Sequence, residues 1–105
     1  MPSSSGGPPR VKVSDADRRE IFAKGQFLSR LKNAELTEKV LSQRQPRSGL
    51  PPNCPPGTWS QSVAYLKGRR VVAIVHQYKR PDGTLGAWGR PDPKYVVWEG
   101  VAYCL

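Results

Sequence analysis

One histidine, two cysteines and eight carboxylates are what this 105-residue chain could offer a metal ion, and none is arranged for it. Cys54 and Cys104 lie fifty residues apart with no Cys-x-x-Cys and no Cys/His cluster, and a lone His76 excludes a His-rich zinc site. The carboxylates have no paired spacing, so metal catalysis lacks ligands and no cofactor is expected. A Gly-x-Ser-x-Gly nucleophile elbow is missing too. No apolar run reaches the roughly 20 residues of a membrane helix. The opening MPSSSGGPP has no apolar centre of the signal-peptide kind. The expectation is a soluble, cytoplasmic protein with no membrane partner. In that compartment two free thiols are favoured over a Cys54–Cys104 disulfide, which would close a long loop.

Acidic residues are scarce relative to basic ones. Seventeen Lys and Arg face eight Asp and Glu, for a formal net charge of +9. The excess is uneven. Residues 14–45 carry 7 basic and 5 acidic side chains, the balance of a solvated helical region. Residues 46–105 carry 8 basic ones against only Asp82, Asp92 and Glu99. A one-signed field of this kind attracts nucleic acid or an acidic protein, and its bland alternative is solubility alone.

Along the chain, residues 1–13 open with Ser, Gly and Pro, a composition that cannot repay the entropy of ordering, and read as a disordered tail. Residues 14–105 are expected to form one small domain. Ser14 before DADRRE is a helix N-cap with acidic residues in the first turn. Ile21, Phe22, Leu28 and Leu31 follow helical spacing with Phe27 beside them. Gly25 interrupts this pattern at a cost of about 1 kcal/mol against Ala. Leu36, Val40 and Leu41, with a Glu35–Lys39 pair at i,i+4, extend the helical reading through residue 45, with Asn33 either inside one helix or between two.

PRSGLPPNCPPGT (46–58) is a proline-rich linker. From Trp59 the period changes to two. QSVAYL and RRVVAIVHQYK read as strands, the second apolar on both faces over Val71–Val75 and therefore central. Arg80-Pro81-Asp82-Gly83 suits a type I turn, TLGAW a weaker strand, GRPDPK a further turn, YVVW a strand, Glu99-Gly100 a two-residue turn, and VAYCL a last strand. The fold class is α+β: an N-terminal helix or helix pair (14–45) packed on a C-terminal antiparallel meander of four to five strands (59–105).

The densest stretch is HQYKRPDGTLGAWGRPDPK (76–94). Its two Arg-Pro-Asp triplets and three glycines are mostly turn chemistry. Gly83, Gly86 and Gly89 are no phosphate loop, since no Gly-Lys-Ser/Thr and no helix follow. Turn chemistry does not explain the cations and rings around them. Arg70, Lys79, Arg80, Arg90 and Lys94, with Trp88 among them, are the candidate nucleic-acid-binding residues, because single-strand binding combines phosphate-reaching cations with rings that stack bases. Taken singly, Trp88 and Tyr95 read as core or cross-strand packing. RNA or single-stranded DNA is favoured over duplex, since no helix concentrates positive charge as a recognition helix would.

His76 reads first as a structural histidine at the sheet margin. Its functional alternative is general acid–base cleavage of RNA, with Tyr78, Arg80 and Glu99 as its company. The order of helices followed by an antiparallel sheet, over residues 15–105, resembles in layout the small bacterial ribonucleases and toxin nucleases. What that resemblance implies is RNA cleavage. The expected function is thus a small basic nucleic-acid-binding protein. The alternatives are a toxin-type ribonuclease acting through His76, Tyr78 and Arg80, and an adaptor docking on an acidic protein. The oligomeric state is left open.

Overall fold

The computed structural model describes residues 7–105. The chain forms strand β1 (Arg10–Lys12), helices α1 (Asp15–Lys24) and α2 (Phe27–Lys32), and strands β2 (Thr37–Arg44), β3 (Trp59–Lys67), β4 (Arg70–Lys79), β5 (Asp92–Trp98) and β6 (Val101–Cys104). They make one six-stranded sheet in the order β1-β6-β5-β4-β3-β2. The α+β class holds, and the helix-then-sheet order holds in part, since β1 precedes the helices. β2 to β6 run as an antiparallel series, but β1 pairs parallel to β6, so the sheet is mixed and has one strand more than the four or five expected. No helix among the described residues is long and apolar enough to cross a membrane.

The first correction concerns the N-terminal tail. Its residues 1–6 lie outside the described residues, but Arg10–Lys12 form β1, and the Pro9 carbonyl accepts from the Ala102 amide at 2.8 Å. Its composition is that of a tail, yet the free edge of β6 supplies the backbone partners that its own side chains cannot.

The helical region also ends earlier than expected. Ser14 caps α1 as anticipated, its hydroxyl accepting from the Asp17 amide at 3.1 Å. The break between helices falls at Gly25 and Gln26, where Gln26 adopts a left-handed φ of 52°. That break resets the helical phase. Phe27 becomes fully buried and stacks on Phe22 with ring centroids 5.3 Å apart, while Leu28, expected in the core, is exposed. α2 stops at Asn33, followed by Ala34 at φ 63°. Residues 37–44 are a strand, not a helix. The spacing of Leu36, Val40 and Leu41 is helical by coincidence. Leu36 is buried in the approach to the sheet, Val40 lies opposite Val63, and Leu41 is an extra residue at a bulge where the partner of Val40 is Val63 and that of Ser42 is Ser62.

Gly25 is required for a reason that propensity does not contain. A Cβ there would run into the Phe27 ring and come within 3.2 Å of the Trp98 ring. Helix propensity favours Ala over Gly by about 1 kcal/mol. Overpacking of a core costs about 1–3 kcal/mol. Gly25→Ala is therefore expected to lower stability, and a urea melt showing a raised midpoint would contradict this contact.

The core lies between the helices and one sheet face. Phe22, Phe27 and Leu36 pack on Val63, Tyr65, Val72, Ala73, Val75 and Val96. β4 sits between β3 and β5, which gives Val71–Val75 the central place expected of it. Arg80–Gly83 closes as a turn, with Gly83 N–H bonded to Arg80 O at 2.9 Å, and Glu99 and Gly100, at φ 50° and 80°, make the two-residue turn. TLGAW is not a strand. It contributes one bridge, Lys79 to Leu85, and then turns away. The second Pro-Asp is not a turn either: Asp92, Pro93 and Lys94 belong to β5. Pro93 is tolerated inside the sheet because the ladder shifts there, Ile74 pairing with Tyr95 and Val75 with Pro93, which leaves Lys94 as the extra residue of a bulge. The linker 46–58 folds against this corner. The Asn53 carbonyl accepts from Arg80 Nε at 2.6 Å, and a Cβ at Gly86 would strike Cys54. Cys54 and Cys104 are both free thiols.

A buried arginine ties these parts together. Arg18 of α1 is 1% exposed. Its guanidinium donates to Val13 O at 2.6 Å, Pro93 O at 3.1 Å and Cys104 O at 3.3 Å, and pairs with Asp15. One side chain thus joins the entry to α1, the start of β5 and the end of β6.

Candidate nucleic-acid interface

Both helices pack on one face of the sheet and leave the other without a helix. Directly opposed residues of a ladder share a face, so the pairing fixes what that open face carries. One row runs Lys39, Ala64, Ile74, Tyr95, Cys104, Lys12 across all six strands. A second runs Ser42, Ser62, His76, Asp92, and a third Arg44, Ser60, Tyr78. Arg10 lies opposite Ala102 with its guanidinium carbon 5.7 Å from the Tyr95 ring centre, a cation–π contact. Arg10, Lys12, Lys39 and Arg44 are exposed, and among the described residues none of them is in an ion pair.

The one carboxylate in these rows, Asp92, is already compensated. Its two oxygens take Lys94 Nζ at 2.9 Å and Arg19 Nε at 3.2 Å. Burial alone would raise its pKa, but the bonds from Lys94 and Arg19 outweigh it and hold the carboxyl below its ordinary range. The open face therefore presents uncompensated cations beside the rings of His76, Tyr78 and Tyr95.

At the centre of this face His76 Nε2 lies 2.9 Å from Ser60 Oγ, and the imidazole meets the Tyr78 ring edge-on with centroids 4.8 Å apart. Ser42, Gln43, Arg44, Gln61 and Ser62 line a hollow of about 160 Å³ with Ser60 and His76. Burial lowers the His76 pKa from 6.5, Lys94 and Arg44 lower it further, and Asp92 opposes them. Each of the leading causes favours the neutral imidazole.

The structure separates the residues singled out from the sequence. His76 and Tyr78 come together, but Arg80 turns to Asn53 O and to Thr84 Oγ1 at 3.1 Å, a corner-holding role. Glu99 lies in the turn at the far end of β5. Arg70, a candidate binding residue, does not share the face of His76. The extra residue Val72 at a bulge in β4 (Tyr65 pairs with Ala73, Leu66 with Val71) shifts the alternation and puts Arg70 on the helix-side face. Lys79 stands at the opposite end of β4 from Arg70, roughly 30 Å away at about 3.3 Å per residue. Lys94 lies beside Asp92. Trp88 is 76% exposed, against the expectation of packing, and Arg90 is exposed near it.

Arg10, Lys12, Lys39, Arg44, Ser42, Ser60 and Ser62 carry the open face and were not singled out. For β2 the signal was masked by its apparent helical spacing, and for β1 by the composition of the tail. No family model, curated protein or solved structure matches the chain.

Proposed function

We propose that the protein binds single-stranded nucleic acid, RNA or single-stranded DNA, on the open face of its sheet. The observation that carries this reading is the placement of Arg10, Lys12, Lys39 and Arg44 around His76, Tyr78 and Tyr95, with the single carboxylate of the rows already paired. Cations that track a phosphate backbone beside rings that accept a stacked base are what sequence-tolerant single-strand binding needs. The flatness of a sheet favours splayed bases over a duplex groove, which is entered by a helix or ribbon. Fluorescence anisotropy with labelled 12-mers at low salt is expected to rank single strands above duplex. No binding to either would leave the adaptor for an acidic protein as the explanation of the charge.

The Ser60–His76 contact in a hollow shared with Arg44 favours a second reading, cleavage of the bound RNA. A neutral His76 would take the proton of the 2′-hydroxyl as its oxygen attacks phosphorus. Arg44 would meet the charge developing on the phosphoryl oxygens, and Tyr78 would supply a proton to the departing 5′-oxygen. The base must be neutral and its pKa is lowered, so the rate should rise with pH through a value below 6.5 and level off above it. Fragments with 2′,3′-cyclic phosphate ends that vanish with His76→Ala would establish cleavage. RNA left intact after prolonged incubation would restrict the face to binding.

A further inference from the structure

A second concave site lies beside the sheet, where α1 meets the segment leading into β5. Arg19, Phe22 and Ala23 of α1 form one wall, and Trp88, Arg90 and Pro91 the other, around a cleft of about 270 Å³. That is close to the lower end of small-molecule pockets, about 300 Å³. Trp88 is the largest exposed ring of the protein, and the backbone holds it outward. Ala87 and Gly89 on either side have φ of 56° and 74°, and Gly89 N–H bonds to Gly86 O at 2.9 Å. A left-handed non-glycine residue costs free energy, so the outward position is imposed by the fold.

The chemistry of the walls is specific. A flat indole is paired with two guanidinium groups. Arg19 uses Nε on Asp92, and Arg90 is in no ion pair among the described residues. Asp92 connects the cleft to the open face, because it lines the cleft and lies opposite His76 in the ladder.

We infer that this cleft receives one unpaired base of a bound single strand, stacked on Trp88, with its phosphate held by Arg19 and Arg90. The inference rests on the open face as the platform for the rest of the strand, which reaches the cleft past Asp92 and Lys94. The cleft accommodates one nucleotide, and Trp88 accepts any base because each has a π-face.

The test measures binding of a labelled single-stranded 12-mer and of 5′-AMP to the wild-type protein, Trp88→Ala, Trp88→Phe and Arg90→Gln. Trp88 and Arg90 are exposed, and a thermal melt of each variant checks that the fold is retained. Loss of one base stack should weaken the 12-mer about tenfold in Trp88→Ala, with Trp88→Phe recovering most of it. Arg90→Gln should weaken it and lessen its salt dependence. Trp88→Ala binding within twofold of wild type would overturn the inference, as would 5′-AMP binding as tightly as the 12-mer. If Lys39→Ala/Arg44→Ala weakens the 12-mer and Trp88→Ala does not, the cleft fails and the open face stands. The reverse pattern removes the open face and keeps the cleft.

Discussion

Arg18→Ala is expected to destabilise the protein by about 3 kcal/mol, more than any surface substitution. Three carbonyls, of Val13, Pro93 and Cys104, accept from this one buried guanidinium. Hydrogen bonds to a charged group contribute about 1.5–3 kcal/mol each, and a large-to-small change adds a cavity. Part of the loss is offset. The Cys104 carbonyl also accepts from Val13 N–H at 3.0 Å, and Asp15, the ionic partner, is half-exposed and can be rehydrated. For a domain of this size 1 kcal/mol corresponds to roughly 4–8 °C, so the thermal midpoint should fall by about 15 °C. Arg18→Met separates the causes, since it fills most of the volume and makes none of the bonds. If the bonds dominate, Met should recover less than half of the loss. A midpoint within a few degrees of wild type for Arg18→Ala would show that the buried bonds contribute little. Because Pro93 adjoins Asp92 and Lys94, the substitution should also loosen the ladder opposite His76 and weaken nucleic-acid binding.

Binding by the wild-type protein of a single strand too short to reach the Trp88 cleft should fall steeply with salt, and replacing Lys39 and Arg44 together should halve that dependence. Each phosphate neutralised on a single strand contributes about −0.7 to the slope of log affinity against log salt, so four contacts from Arg10, Lys12, Lys39 and Arg44 give about −2.8. Between about 50 and 200 mM salt the wild type should then lose roughly 50-fold in affinity, and Lys39→Ala/Arg44→Ala only about 7-fold. Both residues lie on an edge strand that is exposed throughout, so the fold should survive the change. Arg70→Ala, on the other face, is the control and should leave the slope unchanged. A wild-type slope near zero would remove phosphate contact as the purpose of this face.

Much of the fold was legible because it is written locally. The Ser14 cap, the apolar run Val71–Val75, the Arg80–Gly83 turn and the Glu99–Gly100 turn each depend on a few adjacent residues, and each lies where its residues direct. The failures share one property. β1 exists only because β6 offers an edge, and β2 only because β3 returns across the 46–58 linker to pair with it. Neither partner is near in sequence, so composition and spacing pointed elsewhere.

The candidate site was hidden for the same reason. His76 and Tyr78 are neighbours on one strand and could be paired by alternation. Arg44, Ser60 and His76 come from three strands and meet only through register. Single bulges at Leu41, Val72 and Lys94 decide which side chains face which way, because the side-chain period of a strand is two and one extra residue exchanges the faces. Composition and local patterning were enough for the charge, the class and the Arg80–Gly83 and Glu99–Gly100 turns. Only the assembled sheet decided which cations stand together, since a ladder's register is set by all its strands at once and by the helices that bury one of its faces.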